Sequence, residues 1–373
     1  MVRGEALNPF EMQAYGSLSA EFDLLAIGRT RSQYDVDQLE IATTLLPSVG
    51  AWRGLSALHR RLPAAMTYPQ DRDHLFGFTR AVAGRDLLHA AETVLPVSEQ
   101  AARTGLPLVL TCWETIAFRY DDNPVLSERK RRVKASTARF LAVTARARDA
   151  LLAEGVPHAL IRTIPAAVDC DRFAPADASP ALRARWGVPP GVTALLYIGR
   201  LIQEKGVTDL VRAFADMTDR SCHLVFVGNG DQGERLRIAA GALGVVERVH
   251  ILPGVPYGEL PLHYATADVV VVPSLPTPYW EEQFGMVLAE AMACGRPVVA
   301  CASGAIEEVV GDAAMTYPPY AVGQLTAALN EVTGDADLRA RLGWAGRARA
   351  LALYSTPVVA AQLAALYREV LTR

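Results

Sequence analysis

The chain reads as an α/β protein of two doubly wound, parallel-sheet domains, and three observations carry that expectation. Its 373 residues exceed one ordinary core and suit two domains of about 180 residues each. Apolar runs of strand type alternate with helical patterns from end to end, which means parallel strands covered by helices. One stretch, residues 173–180, is polar, contains prolines and lacks a strand pattern, so it is expected to link the domains.

Taken in order, residues 23–27, 64–67, 87–89, 106–111, 140–144 and 162–165 are the strands expected in the first half. Residues 194–198, 223–227, 249–252, 269–272, 298–300 and 314–317 are those of the second. The runs Ala194-Leu195-Leu196-Tyr197-Ile198 and Val269-Val270-Val271-Val272 are apolar throughout, as strands buried on both faces are. An amphipathic helical pattern over 358–371 follows Ser355-Thr356-Pro357. The domains are therefore placed at 1–178 and 179–357.

Composition narrows the function classes. About half the residues are hydrophobic (51%) and the net charge is −3, which argues against a general nucleic-acid binder. The five cysteines, Cys112, Cys170, Cys222, Cys294 and Cys301, are odd in number and never in a C-x-x-C spacing. They point to reduced thiols in a cytoplasmic protein, with neither a disulfide frame nor a metal site. No run of eighteen apolar residues appears, and the polar start Met1-Val2-Arg3-Gly4-Glu5 has no signal-peptide core, so the protein is expected to be soluble or at most peripherally attached.

Seven residues separate Glu282 from Glu290 in Glu282-Gln283-Phe284-Gly285-Met286-Val287-Leu288-Ala289-Glu290, at what reads as a loop running into a helix. A carboxylate at the loop end can accept hydrogen bonds from sugar hydroxyls, and one two turns into the helix can take the paired hydroxyls of a ribose. The backbone N–H groups between them, those of Phe284, Gly285 and Met286, favour an anionic or hydroxyl-rich ligand. The same acids also fit a plainer role, offsetting the helix dipole and pairing with neighbouring cations.

Upstream, Gly199-Arg200-Leu201-Ile202-Gln203-Glu204-Lys205-Gly206 follows an apolar strand run. An Arg fork and a Lys point charge five apart on such a loop can close on a diphosphate without a metal, although solvated loop charges are the ordinary alternative. The chain holds only three lysines, Lys130, Lys134 and Lys205, and one kept in so Arg-biased a chain indicates a task that Arg does poorly. A third pattern, His223-Leu224-Val225-Phe226-Val227-Gly228-Asn229-Gly230, ends a strand in a Gly-x-Gly turn whose glycines permit close backbone approach. Gly228 and Gly230 are placed there as site-lining, at the strand ends where open α/β sheets take ligands.

These residues resemble the group 1 family of retaining glycosyltransferases (family 4), whose C-terminal halves read P-S-x(n)-E-x-F-G-x(4)-E-A-M-A-x-G-x-P-V. Here the segment is Pro273-Ser274, then Glu282-Gln283-Phe284-Gly285, then Glu290-Ala291-Met292-Ala293-Cys294-Gly295-Arg296-Pro297-Val298. The spacing selects Glu282 over its neighbour Glu281. The resemblance implies the GT-B fold, two Rossmann-like domains facing across a cleft that holds the site, with a last helix (358–373) crossing back onto the first domain. It implies transfer of a sugar from a UDP- or GDP-linked donor to a hydroxyl acceptor by front-face substitution, with no metal. Arg200 and Lys205 fall on the family's G-R-L-x-x-x-K-G segment, which places them on the donor phosphates beside Gly199. Glu282 would hold the donor sugar, Glu290 the ribose, and the stretch around Gly254 the base. A sugar-nucleotide epimerase of the same fold and a non-catalytic nucleotide-sugar-binding protein are the alternatives.

The resemblance is strong from about Phe140 onward and thin before it. Many relatives carry a sugar-contacting histidine where Trp113 stands here, so Glu114 becomes the candidate for acceptor or sugar binding. His89 is a lesser candidate, a core histidine at a strand end being the better reading of it. The family's I-P-N-G-V-D reads Ile164-Pro165-Ala166-Ala167-Val168-Asp169, which loses its Asn and Gly. Relatives begin with an apolar strand and a glycine-rich turn; either Met1 is a late start, or residues 1–4 are the stub of that strand, with Gly4 in the donor-facing turn. Arg129-Lys130-Arg131-Arg132-Val133-Lys134 is a basic cluster, read either as a solvated helix face or as a contact for anionic lipid or an acidic acceptor. The residues leave the base, the sugar and the acceptor open, with glycan, lipid and small-metabolite acceptors all compatible.

Overall fold

The parallel β-strands predicted from the apolar runs form, and they divide between two structural units. The structure is a computed structural model that describes residues 1–4, 7–31, 34, 36, 37, 39–48 and 74–372. Unit 1 comprises Met1–Ala167 with Thr356–Arg373, and unit 2 comprises Val168–Ser355.

In unit 1, β1 (Val2–Gly4), β2 (Leu25–Arg29) and β3 (Ala42–Leu46) pair in parallel in that order. The strands β4 (Leu88–Ala91), β5 (Leu108–Cys112), β6 (Thr137–Ala142) and β7 (Ile161–Thr163) form a second parallel set, also in sequence order. Val2 and Ile27 of the first set share one apolar cluster with Leu88, Ala90, Leu108 and Leu110 of the second. The helices are α1 (Phe78–Ala81), α2 (Pro96–Ala102), α3 (Pro124–Ser136) and α4 (Ala145–Ala153). Their starts follow from sequence. Asn123 Oδ1 accepts from the N–H groups of Val125 and Leu126 ahead of Pro124, and Thr144 Oγ1 accepts from that of Ala147, the two commonest ways to satisfy the open donors of a first turn.

Unit 2 is a six-stranded parallel sheet of β8 (Ala194–Ile198), β9 (His223–Val227), β10 (Val249–Leu252), β11 (Val269–Val272), β12 (Val298–Cys301) and β13 (Met315–Tyr317). Its spatial order is β10-β9-β8-β11-β12-β13. The chain winds outward from β8 to one edge, returns to β11 beside it and winds to the other edge, so the order reverses between β8 and β11. The covering helices are α5 (Pro180–Trp186), α6 (Val207–Ala215), α7 (Gly233–Ala242), α8 (Leu260–Thr266), α9 (Met286–Ala293), α10 (Ile306–Val310), α11 (Val322–Gly334) and α12 (Ala336–Arg349). Alternate strand residues Leu195, Tyr197, Leu224, Phe226, Val269 and Val271 pack with α6 and α11, the period of two that a sheet face requires. The last helix, α13 (Thr356–Leu371), buries Val359, Leu363, Leu366, Tyr367 and Val370 in the core of unit 1, at about 1.5–3 kcal/mol for each fully buried side chain.

The departures from expectation have physical causes. Residues 173–180 are not a free linker. Phe173 is fully buried against Tyr257 and Tyr264, and Arg347 Nη1 donates to the carbonyls of Cys170 and Phe173 at 2.9 Å each, so the units divide at 167/168. Residues 1–4 supply a short strand that pairs with β2, and Gly4 ends it with φ +56°. The strand β3 was not expected, because its residues, Ala-Thr-Thr-Leu-Leu, are exposed or half-buried and form no continuous apolar run. The expected strand at 64–67 lies outside the described residues. No helix among the described residues is long and apolar enough to cross a membrane.

Candidate active site

Open α/β sheets take ligands at the carboxyl ends of the strands where their order reverses, and here two of the predicted residues, Lys205 and Glu282, meet between β8 and β11. The loop leaving β8 is pinned on both sides by backbone. Gly199 N–H donates to Val227 O (3.1 Å), Leu201 N–H to Asn229 O (2.9 Å), and Leu275 N–H to Glu204 O (2.8 Å). Residues 203–205 form a 3-10 turn closed by Gly206 at φ +65°, where a Cβ would stand 1.9 Å from the carbonyl oxygen of Pro273. Only glycine fits this crossing, on steric and conformational grounds together. The loop is thereby pressed against the end of β11, and Lys205 Nζ reaches Glu282 Oε2 at 2.5 Å.

Three strand ends converge on Glu282. Ser274, just past β11, donates its hydroxyl to Oε2 at 2.8 Å. From the loop after β12, Ala305 N–H donates to the Glu282 carbonyl at 2.8 Å, and Gly304 leaves room for that oxygen, since a Cβ there would stand 2.1 Å from it. The Lys205 ammonium lies 4.8 Å from the centre of the Trp280 ring, a distance at which the ring face attracts a cation. Burial pushes the Glu282 carboxyl up, but the charge and hydrogen bond of Lys205, the Ser274 hydroxyl and the charge of Arg200 outweigh it and hold the group below its ordinary value. Glu282 is thus a buried carboxylate kept ionised by its neighbours. Arg200 is exposed, and its carbonyl accepts from Tyr197 Oη at 2.6 Å.

The carboxylate of Glu290 is differently held. Helix α9 starts at Gly285 (φ +80°) and carries Glu290 inward to 2% exposure. Tyr257 Oη donates to its Oε1 at 2.9 Å and Tyr264 Oη to its Oε2 at 2.8 Å. Burial raises its pKa, against the lowering effects of the two hydroxyls and Arg172. The Phe284 side chain is core, packed edge-on to Tyr354 at 5.4 Å, while Met286 is half-buried at the head of α9. The Gly-x-Gly glycines serve backbone packing: a Cβ on Gly228 would meet Gly199 O at 1.8 Å, and one on Gly230 would meet Leu201 O at 2.1 Å. Gly254 N–H donates to Asn229 Oδ1 at 3.1 Å, which joins the loop after β10 to the one after β9.

In unit 1, Glu114 follows β5, half-buried, and accepts from Arg119 Nη1 (2.8 Å) and the Ile116 N–H (3.0 Å). His89 corrects the expectation of an acceptor contact. It is 1% exposed, with Nδ1 at 2.6 Å from Tyr367 Oη and Nε2 at 2.7 Å from Thr111 Oγ1, and burial holds its pKa well below the usual value. It is a neutral core histidine that ties β4 to β5 and α13. Sequence reasoning missed Glu92 beside it. Just past β4, Glu92 takes the left-handed conformation (φ +61°) and accepts from the Trp113 N–H at 2.7 Å. Burial, opposed by that bond and aided by Glu114 and Glu11, raises its pKa to about 7.

The basic cluster of α3 is paired with carboxylates, one from its own helix and three from outside it. Arg129 pairs with Glu99 (3.0 Å), Lys130 with Asp121 (3.0 Å) and Glu154, Arg131 with Glu128 (2.7 Å), Arg132 with Glu99 and Glu128 (2.9 and 2.8 Å), and Lys134 with Glu154 (3.4 Å). Arg129 and Lys130 are buried.

Comparison with known proteins bears on the family and the fold. The sequence model of "Glycosyl transferases group 1" matches residues 179–349, and that of "Glycosyltransferase Family 4" matches residues 37–172. Among curated relatives, a GDP-mannose-dependent alpha-(1-6)-phosphatidylinositol monomannoside mannosyltransferase of Mycolicibacterium smegmatis is 36% identical over 217 residues, 56% of this chain and 56% of that one. An alpha-D-kanosaminyltransferase of Streptomyces kanamyceticus is 28% identical over 71% of each chain. A D-inositol 3-phosphate glycosyltransferase of Corynebacterium jeikeium is 34% identical over 56% of this chain and 52% of its own length. The matches thus span about half to seven-tenths of these relatives. Among solved structures, Anabaena HepE in complex with UDP and glucose superposes with TM-score 0.75 at 19% identity, covering 98% of this chain and 99% of that one. Sucrose-phosphate synthase from Thermosynechococcus elongatus gives 0.72 at 22%, covering 100% and 99%. Between them the two family models take in most of the sequence, the structural likeness runs its full length, and the chain belongs to the group 1, family 4 glycosyltransferases with the GT-B fold.

Proposed function

We propose that this protein is a retaining glycosyltransferase that moves a sugar from a nucleoside-diphosphate donor, UDP- or GDP-linked, to a hydroxyl acceptor without a metal ion. The observation that carries the reading is the contact of Lys205 with Glu282 at the β8/β11 reversal, 2.5 Å in length. It brings a cation and a carboxylate from two strand ends to one point, as a site for a sugar joined to a diphosphate requires. In this reading the Lys205 ammonium and the Arg200 guanidinium take the diphosphate charge, with the N–H groups at the head of α9 supporting sugar and phosphate. Glu282, held ionised, accepts hydrogen bonds from the sugar hydroxyls, and Glu290 accepts those of the ribose.

The reaction forms the bond from the acceptor oxygen to the anomeric carbon on the face from which the diphosphate departs. The bond to the phosphate oxygen breaks, and that oxygen takes the acceptor proton as the nucleoside diphosphate leaves. The protein's part is fixed charge placed where negative charge develops, which costs no reorganisation during the reaction. Support for the donor class comes from the mannosyltransferase relative, named for GDP-mannose, and from the HepE complexes with UDP. Glu114 in unit 1 is the acceptor-side candidate.

The test is turnover of a panel of UDP-, GDP- and ADP-sugars, followed by nucleoside diphosphate release, with the anomeric configuration of the product read by NMR. One donor class should turn over with retained configuration. An inverted product would contradict front-face substitution, and no release from any donor would contradict the activity.

A further inference from the structure

Glu290 is the buried titratable group whose surroundings the proposed reaction does not explain. Both of its oxygens are already taken by phenol hydroxyls, at 2.9 Å from Tyr257 and 2.8 Å from Tyr264, and the residue is 2% exposed. The two phenols are not equivalent. Tyr264 lies within α8, is fully buried, and has its ring 6.0 Å from that of Phe173. Tyr257 is half-buried, on a single 3-10 turn (Tyr257–Glu259) between the exposed stretch Pro253–Gly254 and α8. Its ring lies beneath the exposed Arg172 guanidinium, 5.1 Å from Cζ to the ring centre. Of the two partners of Glu290, only Tyr257 reaches solvent, so a ligand hydroxyl gains Oε1 from the side that Tyr257 covers.

We propose that Tyr257 is an affinity-determining residue of the nucleotide site: its hydroxyl occupies the position on Glu290 that a ribose hydroxyl takes, and nucleotide binding displaces it. The inference rests on the donor-site reading above and goes beyond it by naming a resident competitor. Three features fit the exchange. The hydroxyl it gives up and the one it receives are chemically alike, so Glu290 stays satisfied in both states, as a buried carboxylate must. The turn that carries Tyr257 has Gly258 next to it, and the space beside Gly258 holds the flexible end of Arg172, whose Nη2 lies 3.2 Å from where a Cβ would be. Tyr257 itself lies past the carboxyl end of β10, in the loop that Gly254 ties to Asn229, on the side of the sheet, that of the strands' carboxyl ends, where open α/β sheets take ligands.

A competitor of this kind lowers apparent affinity by the free energy of the contact that must be broken. Removing the hydroxyl alone should therefore tighten binding. The experiment is calorimetric titration of the full chain with UDP and with GDP, on the wild type and on Tyr257→Phe, which keeps the ring. The expected result is about tenfold tighter binding by the variant, the effect of a hydrogen bond to a charged group worth about 1.4 kcal/mol. Equal or weaker binding by a folded variant would overturn the proposal and leave the donor site standing. Failure of both proteins to bind either nucleotide would overturn the donor-site reading itself. A second measurement does not depend on the substitution: fluorotyrosine placed at position 257 should shift its fluorine resonance on saturation with the nucleotide that binds. A resonance that does not move would show Tyr257 still in place and sink the idea.

Discussion

Replacing Lys205 by alanine perturbs both the folded state and the reaction, and the two effects separate with pH. In the wild type, Glu282 is buried and bonded to Lys205 at 2.5 Å and to Ser274 at 2.8 Å, and its pKa lies below the ordinary 4.5. A carboxyl with a depressed folded pKa contributes stability above the unfolded value, lost as pH falls through the folded one. Without Lys205 the burial that opposes ionisation is no longer outweighed, and the pKa of Glu282 moves above 4.5. The sign then inverts: the variant loses stability as pH rises through the raised value. Stranding a buried charge costs about 3–5 kcal/mol, and because the side chain keeps 10% exposure and its bond to Ser274, the low end applies. At about 2–4 °C per kcal/mol for a domain of 150–250 residues, the melting temperature should fall by about 6–12 °C near pH 7.5. By pH 4.5 the part of the gap due to the stranded charge should have gone, and the remainder should close only as pH falls below 4.5, through the depressed wild-type value. Turnover should fall about a hundred- to a thousandfold, the usual effect of losing one preorganised electrostatic donor. The double variant Lys205→Ala/Glu282→Gln removes the stranded charge, so it should recover most of the melting temperature and none of the turnover. Melting curves from pH 4.5 to 8 on the three proteins decide the matter. A wild-type-to-variant gap that is the same at every pH, or a double variant no more stable than the single one, would refute the reasoning.

Three further outcomes follow from single positions. Gly206→Ala places a Cβ 1.9 Å from the Pro273 carbonyl oxygen at φ +65°; the left-handed backbone alone costs about 1–2 kcal/mol, so a melt should show at least that loss, and an unchanged melt would contradict the packing of the β8 loop. Glu92, with its pKa raised to about 7, makes the protein lose stability as pH rises from 4.5 to 7, by at most about 3 kcal/mol; Glu92→Gln should flatten that part of the pH–stability curve, and a slope left intact would assign it elsewhere. The paired cluster on α3 should give no salt-sensitive binding to phosphatidylserine vesicles in cosedimentation, and binding that Arg131→Ala/Arg132→Ala removes would reinstate the charged face.

Legibility differed between the units. The strands of unit 2 stand within a residue of their apolar runs, most plainly β8, β11 and β12, which are buried throughout and continuously hydrophobic. In unit 1 the edge strand β3 is half-exposed, and its Ala-Thr-Thr-Leu-Leu carries no comparable signal. Lys205 and Glu282 were both legible as site candidates, each from a local pattern. Their contact was not, since 77 residues separate them and only the Gly206 crossing brings them together. Ser274 stood in the Pro-Ser motif and could have been named. Tyr257 and Tyr264 could not, lying 33 and 26 residues from Glu290 in a stretch with no motif of its own. Most of the basic cluster's pairing was illegible for the same reason: Glu99, Asp121 and Glu154 sit outside the helix. His89 already read as more consistent with a core histidine at a strand end, and its bond to Tyr367 of the last helix places it there.

The central claim is that the reversal between β8 and β11 in unit 2 binds the diphosphate of a nucleotide sugar through Lys205. Calorimetric titration of the wild type and Lys205→Ala with UDP, GDP and ADP at pH 7.5 tests it most directly. The account predicts that one nucleotide binds the wild type selectively and that the folded variant binds it at least tenfold more weakly, the loss of about 1.4 kcal/mol or more that a charge-assisted phosphate contact supplies. Equal affinity in the two proteins, or no binding of any of the three by the wild type, would contradict it.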